Sequence, residues 1–252
     1  MTERALVTGA TAGLGAEFAQ QLASARIPLI LVARNTDRLD TKAARLREEF
    51  GIDVETLSAD LTTDDGAALV AARLASEQHP VSLLVNNAGF GLKNALDENP
   101  VEMEVEHLRI HTETPLRLMH AALPGMLRRG HGRIINVASV AGFIPRGTYG
   151  AAKAWLISVS RWANVHYGPR GVSVTAVCPG FVHTEFHSRL GASTEGIPGW
   201  MWLTPDQVVR EALADARAGK AVSIPSRRYK ALVFMSRWVP DRLSSAAGKR
   251  GR

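Results

Sequence analysis

Short apolar, β-branched runs alternate along the chain with segments whose apolar residues recur at helical spacing. The runs predict strands over residues 5–8, 29–32, 54–57, 83–85, 134–137, 172–177 and 222–224. The periodic segments predict helices over 14–25, 37–50, 64–77, 100–129, 149–167 and 205–218. In the second of these, Leu39, Ala43, Leu46 and Phe50 form one stripe. Thr204 followed by Pro205 makes a helix start, a capping hydroxyl ahead of a proline at the first helical position. Pro115 inside the long 100–129 pattern predicts a kink or a break. Residues 29–32 are apolar at every position, as expected where both faces of a sheet are covered. Strands alternating with helices imply βαβ units joined by right-handed crossovers. The predicted fold class is α/β: a doubly wound, mostly parallel sheet of about seven strands, helices on both faces.

Composition narrows the picture. With 252 residues, 46% of them hydrophobic, the chain has enough apolar mass for a packed core and is not a disordered polymer. No repeat or composition break precedes about residue 226, so residues 1–225 read as a single domain and 226–252 as a basic C-terminal tail. The net charge of +6 is unevenly placed. The tail holds eight basic side chains and one acid, Asp241, whereas the other 225 residues hold 22 basic and 23 acidic ones. The body therefore does not read as a nucleic-acid surface. Cys178 is the only cysteine, which excludes an intrachain disulfide and a cysteine-based zinc site and suits a reducing compartment. The apolar runs fall short of the ~20 residues that a membrane helix needs. The N-terminal Met-Thr-Glu-Arg leads directly into a strand without a signal-peptide pattern, so a cytoplasmic protein is expected.

The first strand runs into Thr8-Gly9-Ala10-Thr11-Ala12-Gly13-Leu14-Gly15, and a helix follows at once. Glycines there permit a tight turn and close approach of backbone to a pyrophosphate, which the free N–H groups at the helix start attract. The spacing Thr-Gly-x-x-x-Gly-x-Gly resembles the short-chain dehydrogenase/reductase family, classical type. The resemblance continues, in family order, through Asn86-Asn87-Ala88-Gly89, Ser139, Tyr149 and Lys153, and Pro179-Gly180-Phe181-Val182-His183-Thr184. It covers about residues 4–225 and implies a Rossmann-type catalytic domain that binds a nicotinamide dinucleotide. The implied cofactor residues are Gly9, Thr11, Gly13, Leu14 and Gly15 in the loop. Asp60 and Leu61 match the adenine contact, and Asn87, Ala88 and Gly89 the turn beside the adenosine ribose. Pro179, Gly180, Val182 and Thr184 fall in the cofactor loop after the sixth strand.

Binders of NAD commonly carry an acid near the end of the second strand, which bonds the ribose hydroxyls and repels a 2′-phosphate. Here the strand ends Ala33-Arg34-Asn35, with Arg38 four residues further on. A guanidinium there pairs well with a phosphate, so NADP(H) is favoured over NAD(H). A solvated loop arginine is the alternative.

Tyr149 and Lys153 are one helical turn apart and share a face. An ammonium beside the phenol is expected to lower its pKa. By resemblance Tyr149 exchanges a proton with the substrate oxygen, Lys153 also bonds the nicotinamide ribose, and Ser139 holds the substrate oxygen. Two departures stand out. Ser139 and Tyr149 are ten positions apart, closer than is usual in the family. His111 occupies the place where relatives carry an asparagine that positions a water leading to the lysine. It is either an altered relay or an interior histidine. His183 and His187 are four apart, but Thr184 and Glu185 between them fit the cofactor loop. No His-x-x-x-His or Glu-x-x-His grouping with metal spacing stands out, and no metal site is expected.

Residues 183–203 correspond to the family's variable substrate lid and carry Phe186, Leu190, Ile197, Trp200, Met201, Trp202 and Leu203, with glycines at 191, 196 and 199. Such a lid suits a hydrophobic carbonyl or secondary alcohol, or it packs on its own protein. The tail segment 229–239 mixes apolar and basic residues. It suits either peripheral contact with an anionic membrane or packing on the domain. The leading reading is an NADP(H)-dependent oxidoreductase that moves hydride between nicotinamide and a carbonyl or secondary alcohol. By resemblance it is a homodimer or homotetramer. The alternatives are a catalytically impaired dinucleotide-binding or regulatory protein, and a lyase or epimerase on the same scaffold.

Overall fold

The computed structural model describes residues 3–185, 197–236 and 238. Seven parallel strands form one sheet in the order β3-β2-β1-β4-β5-β6-β9. They are β1 (Ala5–Thr8), β2 (Leu29–Ala33), β3 (Val54–Ser58), β4 (Leu83–Asn86), β5 (Gly132–Val137), β6 (Val172–Val177) and β9 (Val222–Ser223). The helices between them are α1 (Gly13–Ser24), α2 (Thr36–Phe50), α3 (Asp64–Ala75), α4 (Val101–Leu108), α5 (Thr114–Arg129), α6 (Gly147–Tyr167) and α7 (Pro205–Arg217). This is the predicted doubly wound fold, with element ends shifted by a residue or two.

The strand period of two divides the core between the two faces. Val7, Leu31, Val85 and Ile135 pack with Phe18 and Leu22 of α1 and Leu213 of α7. Leu6, Ile30, Leu84 and Ile134 pack with Val70 of α3 and Leu118 and Met126 of α5. Each such leucine or isoleucine contributes about 1.5–3 kcal/mol by leaving water. The strand order reverses between β1 and β4, which opens a crevice at the carboxyl ends of the strands.

The break expected at Pro115 takes a specific form. A π-helical turn, Arg109–Glu113, joins α4 to α5, and the Thr114 N–H bonds the Arg109 carbonyl five residues back. Pro115 has no N–H to continue the ordinary ladder, and the wide turn absorbs the mismatch. His111 lies inside it.

Further features lie between and beyond the predicted elements, the last of them in the tail segment 229–239, where packing on the domain was one of the two expectations. A 3₁₀ turn, Val140–Phe143, fills the short Ser139–Tyr149 loop. A two-residue ribbon pairs β7 (Phe181–Val182) with β8 (Trp202–Leu203). The helix α8 (Arg227–Ser236) buries Tyr229 and Val233. Its Tyr229 hydroxyl accepts from Phe181 N at 3.0 Å and donates to the Met201 carbonyl at 2.8 Å, tying helix and ribbon together. Among the described residues no helix is long and apolar enough to cross a membrane.

Candidate active site

A cavity of about 810 Å³ occupies the crevice. Every cofactor and catalytic position singled out in the sequence lines it except Gly15. Gly15 instead lets α1 approach β1: a Cβ there would stand 2.2 Å from the Gly9 carbonyl oxygen and 2.4 Å from Asn87 Nδ2. Gly9 and Gly13 have left-handed backbones, φ +66° and +52°, that favour glycine. The hydroxyl of Thr8 locks this turn to the next strand end. It accepts from Asn87 N at 2.9 Å and Ala88 N at 3.0 Å, while Asn87 Nδ2 donates to the Thr8 carbonyl.

The start of α1 fits a dinucleotide. Asn35, Thr63 and Thr204 cap α2, α3 and α7 with their side chains. By contrast, Ala12 gives α1 no side-chain cap and the first turn holds no acid. Its first amides therefore have no side-chain cap, an arrangement that suits a pyrophosphate, in a loop where two glycines remove side chains from the approach.

At the far edge of β2, Asn35 is committed to capping, since its Oδ1 accepts from Arg38 N at 2.8 Å. Arg34 is exposed, 3.9 Å from Asp60. Arg38 reaches the Thr11 carbonyl at 3.4 Å and Glu185 at 3.5 Å. Burial works against the Asp60 charge. Its bonds to the Thr62 amide and hydroxyl, with Arg34 nearby, outweigh that and hold the carboxyl below its usual range.

The catalytic candidates meet at the other end. Ser139 follows β5, caps the 3₁₀ turn by accepting from Ala141 N at 3.1 Å, and hydrogen-bonds Tyr149, so the short loop keeps the serine on the tyrosine. Lys153 Nζ donates to the Val137 carbonyl at 2.7 Å and lies 5.6 Å from the Tyr149 ring centre. Burial lowers Lys153 to about 7. The expectation that the lysine draws the phenol down needs correction. Burial dominates and raises Tyr149, while the opposing influences are the Ser139 hydrogen bond and the charge of Arg146. Arg146 also lies 6.0 Å from the Phe181 ring. Its signal in the sequence was its place three residues before Tyr149.

His111 Nε2 sits 2.7 Å from the Phe90 carbonyl oxygen, and His107 packs on it with ring centres 4.5 Å apart. The histidines are therefore not all scattered. Glu104, His107 and His111 recur at three- and four-residue spacing and are buried along α4 and the π-helical turn that continues it. A search for metal spacing passes over them, and among the described residues no group of three or more has metal-ligand geometry.

On the lid side, His183 stacks on Trp202 at 4.5 Å, and Phe181 leans on the same ring. Phe186, His187, Leu190, Gly191 and Gly196 lie outside the described residues, as does the tail past residue 238.

Residues 3–195 match the family model "short chain dehydrogenase". A short-chain dehydrogenase from Sphingobium yanoikuyae, solved in complex with NADPH, superposes with a TM-score of 0.85 at 34% identity, covering 94% of each chain. The bulky-bulky ketone specific alcohol dehydrogenase from Comamonas testosteroni gives 0.81 at 31%, over 94% of this chain and 92% of that one. A very-long-chain 3-oxoacyl-CoA reductase of Laccaria bicolor is 32% identical over 242 residues, 94% of this chain and 70% of that protein. With a crevice suited to a nicotinamide dinucleotide and a serine, tyrosine and lysine gathered at its end, this chain belongs to the short-chain dehydrogenases, oxidoreductases that act on keto and alcohol groups.

Proposed function

We propose that the protein is an NADP(H)-dependent carbonyl reductase or alcohol dehydrogenase for a hydrophobic substrate. The observation that carries this reading is one cavity with Arg34 in place of an acid just after β2, and Arg38 near it, at one side and Ser139, Tyr149 and Lys153 at the other. The NADPH complex of the Sphingobium relative and the ketone specificity of the Comamonas relative support it. So do the apolar walls of the lid side, Phe90, Leu92, Phe181 and Val182. Arg34 and Arg38 would take the 2′-phosphate, the start of α1 the pyrophosphate, and Lys153 the nicotinamide ribose. A bound nicotinamide supplies or accepts hydride. Tyr149 gives its phenolic proton to the carbonyl oxygen in reduction and takes the alcohol proton in oxidation. Ser139 donates to the same oxygen and stabilises the charge that builds there.

Self-association as a homodimer or homotetramer is proposed through α4. Val101, Val105 and Leu108 form an exposed apolar stripe along that helix. A reducing, cytoplasmic setting is proposed from the single buried thiol.

The test is a fluorescence titration with NADPH and NADH, followed by a panel of bulky hydrophobic ketones. Tighter NADPH binding with ketone-dependent oxidation is expected. Tyr149→Phe should retain cofactor binding and lose turnover on the order of a thousandfold. Retained turnover in that variant would remove the phenol from the mechanism.

A further inference from the structure

Helix α8 has two different faces. Its inner face is committed to the domain: Tyr229 packs with Val182, Leu203 and Val208, and Val233 is buried one turn further on. Its outer face follows the same helical period. Arg227, Lys230, Ala231, Phe234, Met235 and Trp238 recur at three- and four-residue steps, and all are exposed. Trp238 stands just past the helix, where its N–H donates to the Met235 carbonyl at 3.0 Å. A helix lying on a domain normally turns charged and polar residues to water. Here Phe234, Met235 and Trp238 are 63%, 53% and 80% exposed, and Trp238 is the most exposed large apolar side chain among the described residues. Lone apolar side chains on a surface are ordinary, whereas three on one stripe mark a contact. The first turn of the same stripe is cationic.

The chemistry of the segment selects the occupant. Its own continuation is a poor cover, because beyond Val239 the only large apolar residue before the last position, Arg252, is Leu243. A second copy of the chain is disfavoured by charge. Residues 226–252 hold eight basic side chains and one acid, and a twofold contact would set this segment against itself. An anionic bilayer matches both properties at once. Aromatic and apolar side chains that share a helix face with Lys and Arg suit the boundary between headgroups and acyl chains. A basic run beside them is drawn to the negative surface.

We propose that the outer face of α8, with the basic segment that follows it, docks the protein on an anionic lipid bilayer. The helix lies in the plane of the interface. Phe234, Met235 and Trp238 enter the acyl boundary, while Arg227 and Lys230 stay among the headgroup phosphates. Arg242, Lys249, Arg250 and Arg252 add attraction from the rest of the segment. Arg228 Nη1 donates to the Trp200 carbonyl at 2.7 Å, which brings half-exposed Trp200 to the start of the same helix. The inner face meanwhile holds the cavity wall, since Tyr229 bonds Phe181 N and Phe181 lines the cavity. That wall therefore stands about one helix diameter, ~10–12 Å, from the lipid. Docking goes beyond the reductase reading and does not depend on it.

The test is co-sedimentation of the full chain with vesicles of phosphatidylcholine alone and of equal parts phosphatidylcholine and phosphatidylglycerol. Binding to the mixed vesicles should be about tenfold tighter or more, and should weaken with added salt. Phe234→Ser with Trp238→Ser should weaken it by on the order of tenfold, and Arg227→Glu with Lys230→Glu by a similar factor. All four side chains face outward, so in both double variants Tm should stay level and NADPH affinity should stay within about twofold of wild type. No binding to the mixed vesicles would overturn the proposal, as would equal binding to both lipids. Double variants that bind as wild type does would place the contact elsewhere and overturn it too. Loss in the charge variant alone would mean a site for a soluble polyanion without insertion, and a smaller particle in light scattering of the Phe234, Trp238 variant would mean an interface between copies. Either result refutes docking on lipid. A wild type that docks and reduces no ketone would defeat the reductase reading and leave the docking surface established.

Discussion

At the scale of single residues, the proposed preference for NADP(H) rests on what the neighbours of Arg34 already do. Its guanidinium is exposed at the end of β2 and only loosely held, 3.9 Å from Asp60. Arg38 is more constrained, between the Thr11 carbonyl and Glu185. Asn35, where an acid would favour NAD, is spent on capping α2. Arg34→Ala should therefore weaken NADPH binding by about tenfold, one exposed charge-assisted pair, and leave NADH binding nearly unchanged. Titration of both cofactors against the variant checks this. An equal loss for both would mean that Arg34 shapes the loop and does not read the phosphate.

At the scale of elements, the strap α8 holds the cofactor-side loop in place. A Cβ on Gly180 would fall 1.8 Å from the Tyr229 ring, so the glycine lets the ring lie flat on the backbone. The Tyr229 hydroxyl then satisfies Phe181 N and the Met201 carbonyl together. Tyr229→Phe leaves both of those groups short of a partner. It should cost about 1–3 kcal/mol, read as a lower Tm, and weaken NADPH binding through the loosened Gly180–Val182 backbone. Unchanged Tm and affinity would show that water replaces the hydroxyl at no cost. The apolar positions of 229–239 left membrane contact and packing on the domain both open, and the ribbon that the strap anchors gave no periodic signal, since β7 and β8 are only two residues each. The main sheet was legible because continuous runs such as Leu29-Ile30-Leu31-Val32 mark strands covered on both faces. The candidate site was legible as a cluster where motif residues sit at strand ends, as Gly9, Asn87, Ser139 and Pro179 do around one cavity. The inverted α4 was not. A reading that assigns apolar positions to the interior puts Val101, Val105 and Leu108 inside and Glu104 and His107 outside, the reverse of the structure.

At the scale of the whole molecule, that inverted helix and the buried cluster behind it each predict a bulk property. Val101, Val105 and Leu108 are 66%, 54% and 54% exposed, more apolar surface than a lone helix ordinarily shows to water. If a second copy covers them, Val105→Lys should shift light scattering toward the monomer, and a monomeric wild type would refute the interface. The cluster predicts how stability follows pH in the absence of cofactor. Lys153 ionises near 7 in the fold and at 10.5 in the unfolded chain. Between those values the unfolded chain binds the extra proton, so stability rises with pH. Cys178 has the opposite sign. Burial pushes its thiol up from 9.0 to about 12, so above pH 9 the folded chain holds a proton that the unfolded chain has released, and stability falls. Tyr149, raised from 10.0, adds to that fall above pH 10. The rise is therefore confined to pH 7–9 and is worth roughly 2 kcal/mol, about 4–8 °C in Tm for a domain of this size. A second rise below pH 6.5 belongs to His107, lowered from 6.5 to about 4, and to His111, which burial lowers further. Melting curves from pH 4 to pH 10 should show both limbs. Lys153→Met should flatten the upper limb, and His107→Phe should make the lower one shallower, with His111 keeping the remainder. A wild type whose Tm is level from pH 7 to pH 9 would show that Lys153 keeps its proton in the fold, stabilised by groups other than those that surround it here.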